Sequence, residues 1–525
     1  MATETETRQE TMWAEGKPEA GACRPAPAAA EVPGPPRLQP VNRQQMVWRP
    51  VDVERLIEED HPARAIWECV GHLDLSAFHE ALKAVEGRAG RPALDPQLLI
   101  SLWIYAYSEG VGSAREIARL CEYHPAYQWL TGLEPVNYHS LSDFRVDHQA
   151  ALDKLFTQVL GLLSAEGLVT LQRVMHDGTK VKACAGADTF RREEKIRAHL
   201  EMARQQVEAM GDPRQEERSP RVAKARQRAA RERQERLELA QQELEKLRAT
   251  KASAEAQQQA RVSETDPEAR VMKQSDGGFA PSYNLQVSTD AEHKIIVGVG
   301  VSQSGSDYGE LSAALDTVEA NMEQPPQQVV VDGGFTSRET ILDMADRGVD
   351  LIGSLGDNSG KAEAQFKRRG VDPAFRPEAF TYHPDSNTYT CPAHAVLVPQ
   401  GRDKRPGLIY HQYRAAAAQC AACVFKSKCC PQNVGGRMVV REEEAPVVIA
   451  FRAKMATEEA KQIYRQRGAV AEFPNAWIKD KIGLRQFHVR GLLKVTMEAL
   501  WACLTYNIQQ WIRLRWRNPA ALQTA

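Results

Sequence analysis

The feature that most constrains the fold is a highly charged stretch in the middle of the chain. Between residues 191 and 250, 28 of 60 residues are Asp, Glu, Lys or Arg, which leaves too few apolar residues for a separate core. The apolar residues that remain recur at alternating steps of four and three on both sides of Gly211-Asp212-Pro213. This spacing predicts two heptad-patterned helices that form an antiparallel hairpin over residues 191–265.

Segments typical of β-strands lie on both sides of this hairpin. RVMHDGTKVKACA precedes it, and YNLQVSTD and KIIVGVGV follow it around a short polar turn, which predicts a β-hairpin. Two strand–helix alternations come next, and they predict parallel strands joined by right-handed crossovers. The predicted fold class is therefore α/β, with a mixed-sheet core made from residues 166–190, 266–365 and 451–516.

The other segments differ from this core in composition. Residues 1–45 are rich in Ala, Pro and Glu, which predicts a disordered leader. Residues 46–165 predict short helices with glycine breaks, in a domain that is either a plain bundle or a DNA-binding one. Residues 366–450 predict a cysteine-bearing, strand-poor insertion. A C-terminal amphipathic helix is predicted with one apolar face formed by Leu493, Met497, Leu500, Leu504, Ile508 and Trp511.

Composition restricts the class of protein. The chain has 525 residues, more than one core normally serves, and its formal net charge is −2. It has no overall basic signature, so any nucleic-acid site must come from local clusters. No apolar run approaches the roughly 18 residues of a membrane span, and the first residues lack signal-peptide features. We therefore expect a cytoplasmic protein, associated with the nucleoid only when bound to DNA, that contacts no membrane and keeps its cysteines reduced or metal-bound.

One local basic cluster lies in the predicted helical hairpin. From Arg214 to Arg236 there are nine basic and four acidic residues. The cluster is either a solvated helix face or a surface that contacts DNA phosphates. The candidates for phosphate contact are Arg221, Lys224, Arg226, Arg228 and Arg231.

The cysteines of residues 366–450 have the spacing of metal ligands. Cys391-x2-His394 and Cys420-x2-Cys423 form pairs typical of a tetrahedral zinc site, with Cys429 and Cys430 as rivals for the fourth place. A zinc ion would stabilise a segment with so little apolar periodicity. The alternative is a set of ordinary reduced thiols.

Two aspartates lie in or at the end of predicted strands. Asp177 follows Val174 and Met175, and Asp332 follows three valines and precedes two glycines. If the two strands are neighbours, the carboxylates meet at one edge of the sheet and repel each other unless a cation neutralises them. Mg²⁺ prefers such oxygen ligands, and a pair of ions can serve phosphoryl transfer. A third carboxylate is needed, and Glu472 is the candidate.

Several segments follow one another along the chain: HDGTKVKACA, DPEARVMK, YNLQVSTDAEHKII and VVVDGGFTS, and then Tyr464, Arg467, Glu472, Lys479 and FHVRG. Together they resemble DDE transposases of bacterial insertion sequences. The resemblance is strongest to the insertion-sequence 1182 group of the wider insertion-sequence 4/5 clan, and it runs from about residue 46 to 515. It implies a ribonuclease-H-like core. It also implies that Asp177, Asp332 and Glu472 are catalytic and bind two Mg²⁺ ions, or Mn²⁺ in their place.

The same resemblance implies roles for other residues and for partners. Tyr464 and Arg467 would contact phosphate, and Lys479 would contact DNA near the cut. The zinc ligands would be Cys391, Cys420, Cys423 and Cys429, with His394 as a rival ligand. The partners would be double-stranded DNA, as element ends and target, and further copies of the chain in a homodimer or higher oligomer on that DNA.

The chain departs from the clan pattern at one place. Four residues rather than three separate Arg467 from Glu472, and Gly468 and Pro474 disturb the helix expected there. We still expect Glu472 to complete the metal site, and not Glu498, which lies inside an apolar helix. The alternative candidate is worth testing because both carboxylates are predicted in the C-terminal helical section.

The function predicted from these observations is that of a transposase. Its helical domain would help to bind terminal inverted repeats, and its α/β core would catalyse metal-dependent DNA cleavage and strand transfer. The alternative is a catalytically inactive or domesticated DNA-binding protein derived from a transposase.

Overall fold

The computed structural model describes residues 43–517, except residues 47, 49, 81, 83, 85–91, 211–219 and 357–358. Nearly all of the predicted leader, residues 1–45, lies outside the described residues. The chain divides into two compact units, residues 1–51 and 52–525. The elements below all belong to the second unit.

The first part of this unit is helical, and several of its helices begin at side-chain caps. Asp95 accepts a hydrogen bond from the backbone N–H of Gln97 and is followed by Pro96, while Ser113 Oγ accepts from the backbone N–H of Glu116. After a 3₁₀ turn at Val53–Leu56, the helices are α1 (Pro62–Gly71), α2 (Ser76–His79), α3 (Pro96–Ser108), α4 (Ala114–Tyr123), α5 (Pro125–Thr131), α6 (Tyr138–Asp147) and α7 (Gln149–Ala165).

Strand β1 (Arg173–Lys182) leads into the charged stretch, where two long helices pack against each other. The stretch contains β2 (Phe190–Arg191), α8 (Glu193–Met210), α9 (Pro220–Ala249), α10 (Ala254–Gln258) and β3 (Val262–Ser263). Buried Ile196 of α8 shares an apolar cluster with Leu244 of α9, and Leu200 shares one with Leu237. Because a later residue of α8 packs against an earlier residue of α9, the two helices are antiparallel. β2 and β3 pair antiparallel next to them.

The next elements complete a mixed sheet around β1. They are β4 (Arg270–Lys273), β5 (Phe279–Asp290), β6 (Ile296–Ser302), α11 (Glu310–Met322), β7 (Gln328–Val330), α12 (Arg338–Asp346) and β8 (Asp350–Ile352). The order is β4-β5-β1-β7-β8, and β6 also pairs with β5. β1 is antiparallel to β5 and parallel to β7, with Met175 opposite Val330. The pairing ends there, two residues before Asp177 and Asp332, and the charge of Asp332 acts on Asp177.

Residues 366–450 do not form the strand-poor segment that the sequence predicts. They follow α13 (Ser359–Arg368) and build a five-stranded antiparallel sheet in the order β13-β12-β11-β10-β9. The prediction is wrong because these strands are largely solvated, so apolar alternation is weak; only Leu397 is buried in β11. The elements are β9 (Thr381–His383), β10 (Thr388–Thr390), β11 (Val396–Arg405), β12 (Leu408–Ala415), α14 (Ala417–Ala421), α15 (Lys426–Cys429) and β13 (Met438–Glu444), with 3₁₀ turns at Pro373–Phe375 and Pro377–Ala379.

Three helices close the described chain: α16 (Pro446–Ala456), α17 (Glu458–Asp480) and α18 (Leu492–Trp511), the last continued by a π-helical turn at Ile512–Trp516. α17 runs unbroken through Gly468 and Pro474. α18 packs against α3, α7 and β6 and is buried on nearly every side, whereas Leu493 is 56% exposed. The predicted amphipathic face is therefore wrong in detail, since packing from several sides leaves no solvated face. No described helix is long and apolar enough to cross a membrane.

Candidate active site

Asp177 lies within β1, where it faces helix α17. Asn475 Nδ2 donates a hydrogen bond to Asp177 Oδ2 at 3.1 Å, and Lys479 Nζ donates to Thr179 Oγ1 at 2.5 Å. Residues two apart share a face of a strand, and residues four apart share a face of a helix. The two contacts are therefore adjacent along both elements, and together they fix the alignment of α17 on β1.

Asp332 follows β7 after Val331 and closes a tight turn. Its Oδ1 accepts hydrogen bonds from the backbone N–H of Gly334 at 2.7 Å and of Phe335 at 3.3 Å. A Cβ at Gly333 would lie 3.1 Å from the carbonyl oxygen of Ser354, and one at Gly334 would lie 3.0 Å from Asp332 Oδ1. The two glycines after the aspartate thus allow the backbone to pass closely while the carboxylate is held rigidly.

Glu472 lies on α17, and one guanidinium separates it from Asp177. Arg467 Nη1 is 3.8 Å from Asp177 Oδ1, and Arg467 Nη2 is 3.9 Å from Glu472 Oε1. The Glu472 side chain is 66% exposed, whereas those of Arg467 and Asp177 are 19% and 18% exposed. The structure therefore brings the first and third predicted carboxylates to the two sides of one cation.

The surroundings of Asp177 make it harder to ionise than a solvated aspartate. Burial raises the pKa of Asp177 to about 6, and the negative charges of Asp332 and Asp307 add to this effect while Arg467 opposes it. The adjacent His176 is fully buried between Ser288 and Gln286, and burial lowers its pKa to about 4. His176 therefore contributes packing and no charge at neutral pH.

Asp307 is a further carboxylate near the site that the sequence analysis missed. It accepts hydrogen bonds from Asn284 Nδ2 at 2.7 Å and Gln286 Nε2 at 3.2 Å, and it pairs with Lys180 Nζ at 3.4 Å. A Cβ at Gly178 would lie 2.5 Å from Asp307 Oδ1. The residue lies in an irregular loop with no strand or helix signal, so only the tertiary contact reveals it.

The oxygen atoms of this site fit a hard divalent cation, although they are not gathered into a coordination shell. Among the described residues, no three His, Cys, Asp or Glu side chains lie close enough together to hold a metal ion. Asn475, however, is 6% exposed, and its Oδ1 has no hydrogen-bond partner in the described part of the chain. A buried, unpaired amide oxygen on a side chain that contacts Asp177 is a ligand type that Mg²⁺ accepts. The exposed Glu472 is the carboxylate that is free to approach.

The predicted phosphate-contacting residues fall into two groups. Lys479 lies against β1, and burial followed by the nearby charge of Arg485 lowers its pKa. Tyr464 is half-buried against an apolar cluster around Met175 and Val330. The hairpin cations all lie exposed on α9, and Arg228 pairs with Glu232 at 2.8 Å; they are Arg221, Lys224, Arg226, Arg228 and Arg231.

A basic cavity of about 670 Å³ lies beside Gly178 and Thr179. Its cationic lining comes from four separate segments of the chain: Lys180 and Lys182, Lys273, Lys479, and Arg485. Asp276 is the acidic residue of this lining. The sequence analysis named only Lys479, because no local cluster marks the others.

The cysteines of residues 366–450 line one cavity of about 680 Å³, together with His394. Among the described side chains, no three His, Cys, Asp or Glu are grouped closely enough to hold a metal ion, and the zinc site stays a prediction. Burial raises the pKa of Cys429 to about 12, so this thiol retains its proton. Cys430 shares side-chain hydrogen bonds with Cys429 and Cys420. The cysteines that line the cavity are all free thiols: Cys391, Cys420, Cys423, Cys429 and Cys430.

Glu498, the rival third ligand, is fully buried in a different network. Its carboxylate accepts from the backbone N–H of His488 at 2.9 Å and lies 2.7 Å from His488 Nδ1. Arg145 Nη1 and the Tyr107 hydroxyl lie 3.5 Å and 3.4 Å away. These partners surround the carboxylate, so it is not open to a metal ion.

Two stretches of the chain match models of known protein families. Residues 390–512 match a family described as "Transposase DDE domain", and residues 51–147 match "Transposase domain (DUF772)". The first match contains Glu472 and Arg467, while Asp177 and Asp332 lie outside both. No curated protein matches the chain. A DDE domain implies a ribonuclease-H-like fold, with which the mixed α/β sheet agrees. The two matches support an insertion-sequence transposase, an enzyme of a kind that acts on DNA and generally uses divalent metal ions.

Proposed function

We propose that this chain is a catalytically active DDE transposase of the insertion-sequence 1182 type. It binds the terminal inverted repeats of its element and catalyses DNA cleavage and strand transfer. The observation that carries the proposal is the meeting of three distant segments. Asp177 lies on β1, Asp332 follows the neighbouring parallel strand β7, and Glu472 lies across Arg467 on α17.

Asp177, Asp332 and Glu472 are the residues that would hold two Mg²⁺ ions, or Mn²⁺. When bound, these ions supply Lewis-acid stabilisation and an activated nucleophile for in-line displacement at phosphorus. Asn475 orients Asp177 through its hydrogen bond, and the backbone N–H groups of Gly334 and Phe335 orient Asp332. The protein thereby fixes two ligands before any substrate arrives, as efficient catalysis requires.

The basic cavity beside β1 gives the DNA backbone a path to these carboxylates. It begins at Gly178, the residue after Asp177, and Lys182 and Lys273 are exposed in its wall. Phosphates are attracted to such clusters regardless of base sequence. The exposed cations of α9 would add further phosphate contacts. The helical residues 51–147 would read the element ends, and a dimer or higher oligomer would hold two ends together.

A cleavage experiment with the natural DNA ends tests this proposal. Inverted repeats flanking the gene supply the sequence of a labelled duplex, which is incubated with the full chain and Mg²⁺ or Mn²⁺. We expect metal-dependent strand cleavage at the repeat end, lost in Asp177→Asn, Asp332→Asn and Glu472→Gln while DNA binding persists. Binding without cleavage by the unmodified chain would favour the inactive DNA-binding alternative. Cleavage by all three variants would show that the active site lies elsewhere.

A further inference from the structure

Arg467 occupies the space between two predicted metal ligands. Its two terminal nitrogens contact different acids, Asp177 at 3.8 Å and Glu472 at 3.9 Å. Resting on the proposed function, we propose that Arg467 is a resident counter-ion of this site, which bridges the first and third carboxylates until a divalent ion binds in exchange for it.

The contacts of Arg467 with the two carboxylates are long and can be broken. Neither distance is short enough for a hydrogen bond, so these two contacts are electrostatic only. Glu472 is mostly solvated, and a contact with such a carboxylate contributes little stability. Short, paired hydrogen bonds mark the strongest arginine–carboxylate pairs. Arg338 provides that contrast, because its Nε and Nη2 donate to Glu444 Oε1 at 3.0 Å and 2.7 Å.

The groups around Arg467 are arranged to remain when it leaves. Asn475 holds the second oxygen of Asp177, so the carboxylate keeps its position. The buried Oδ1 of Asn475 has no partner in the described residues and can join the oxygen ligands of a cation. Lys479 is held by Thr179 and does not replace Arg467 between the acids.

The exchange couples metal binding to DNA binding. Once released, the guanidinium is available for a phosphate oxygen, which it can contact through two parallel N–H groups. Linkage is reciprocal, so an ion that frees Arg467 for DNA must itself bind more tightly when DNA is present.

Mn²⁺ binding to the full chain without DNA tests the exchange, with free Mn²⁺ measured by electron paramagnetic resonance. We expect Arg467→Gln to bind Mn²⁺ about tenfold more tightly than the unmodified chain, because the competing cation is gone. Arg465→Gln is the matched control, since it removes an equal charge from the exposed surface of the same helix. It should change the affinity by less than about twofold.

A second variant separates bridging from simple charge. Arg467→Lys keeps the charge but has one nitrogen in place of the fork, so we expect an affinity between those of the unmodified chain and Arg467→Gln. Equal or weaker Mn²⁺ binding by Arg467→Gln would overturn the exchange while leaving the metal site and the proposed function intact. An Arg467→Lys variant that matches the unmodified chain would overturn the bridge. Absence of Mn²⁺ binding in every variant would overturn both the exchange and the proposed metal-dependent function.

The reciprocal effect on DNA gives an independent readout. At constant ionic strength, Mn²⁺ should raise the affinity of the unmodified chain and of Arg465→Gln for a short unrelated duplex. This metal-dependent gain should shrink at least about threefold in Arg467→Gln. An equal gain in all three proteins would show that Arg467 is not released toward phosphate.

Discussion

Two arginine–glutamate sites in the C-terminal part of the chain differ in how completely their carboxylates are satisfied. Glu498 is fully buried, and Arg145, Tyr107, His488 and the backbone of Val489 all direct donors at it. Glu472 is mostly exposed and contacts only the distant guanidinium of Arg467 among the ion pairs of the described residues. A carboxylate whose lone pairs all accept hydrogen bonds or ion pairs maintains structure, whereas one with lone pairs that no donor contacts can bind a new cation.

The same contrast applies to the arginines. Arg145 is buried, donates to the carbonyl oxygen of Gly112 at 2.8 Å and lies over the ring of Trp103. It joins the helical domain to the loop before α18 through Glu498. Arg467 contacts two acids without a hydrogen bond to either. The network of Arg145 and Glu498 therefore resists change, whereas the contacts of Arg467 can rearrange.

The largest expected effect compares the two glutamates directly. Glu472→Gln should lower the rate of DNA cleavage by at least about 100-fold, because it removes ligand charge where transition-state charge must be stabilised. Its thermal midpoint should stay unchanged, since the side chain is solvated. Glu498→Gln should instead lower the thermal midpoint and leave Mn²⁺ affinity intact. Normal cleavage by Glu472→Gln together with inactive, fully folded Glu498→Gln would reverse the assignment of the third ligand.

Breaking the closed network from its other end should cost mainly stability. Arg145→Met leaves Glu498 buried beside an apolar side chain, and such a broken pair typically costs about 3–5 kcal/mol. The double variant Arg145→Met/Glu498→Met removes both charges and should recover most of that loss in urea unfolding. If the double variant is no more stable than Arg145→Met, the two residues are not coupled as the structure indicates.

Two buried asparagines sharpen the comparison at intermediate size. Asn475→Ala should weaken Mn²⁺ binding by about tenfold, because it removes both the hydrogen bond to Asp177 and the unpaired oxygen. Asn507 is the matched control: it is equally buried, but its amide binds the backbone N–H and C=O of Ile296. Asn507→Ala should lower stability and leave Mn²⁺ affinity unchanged. Similar affinities for the two variants would remove Asn475 from the site.

The smallest effect is expected from the exposed cations of α9. Replacing Arg221, Lys224 and Arg231 by Gln should weaken binding to any duplex and reduce the slope of log affinity against log salt by about one unit per lost contact. Stability should not change, because all three side chains are exposed. An unchanged salt slope would assign α9 to the solvated-face alternative and leave the basic cavity beside β1 as the DNA path.

The elements that can be predicted from the sequence are those with a local periodicity. Alternating residues specify β5 and β6, and the heptad steps specify α8 and α9, because each pattern depends on neighbours only a few residues away. Three valines followed by Asp332 and two glycines predict a strand end with a held carboxylate for the same reason. Where polar strands lack alternation, as in β11, the local signal disappears and the second sheet is missed.

Which of these groups meet depends on how distant elements pack. Asp177 and Asn475 are 298 residues apart, and their contact depends on the docking of α17 against β1. That docking is also what places Arg467 between two acids and collects the basic cavity from separate segments. Asp307 likewise enters the site from an irregular loop. These contacts follow from the packing of distant elements, and no spacing along the chain encodes the distance between them.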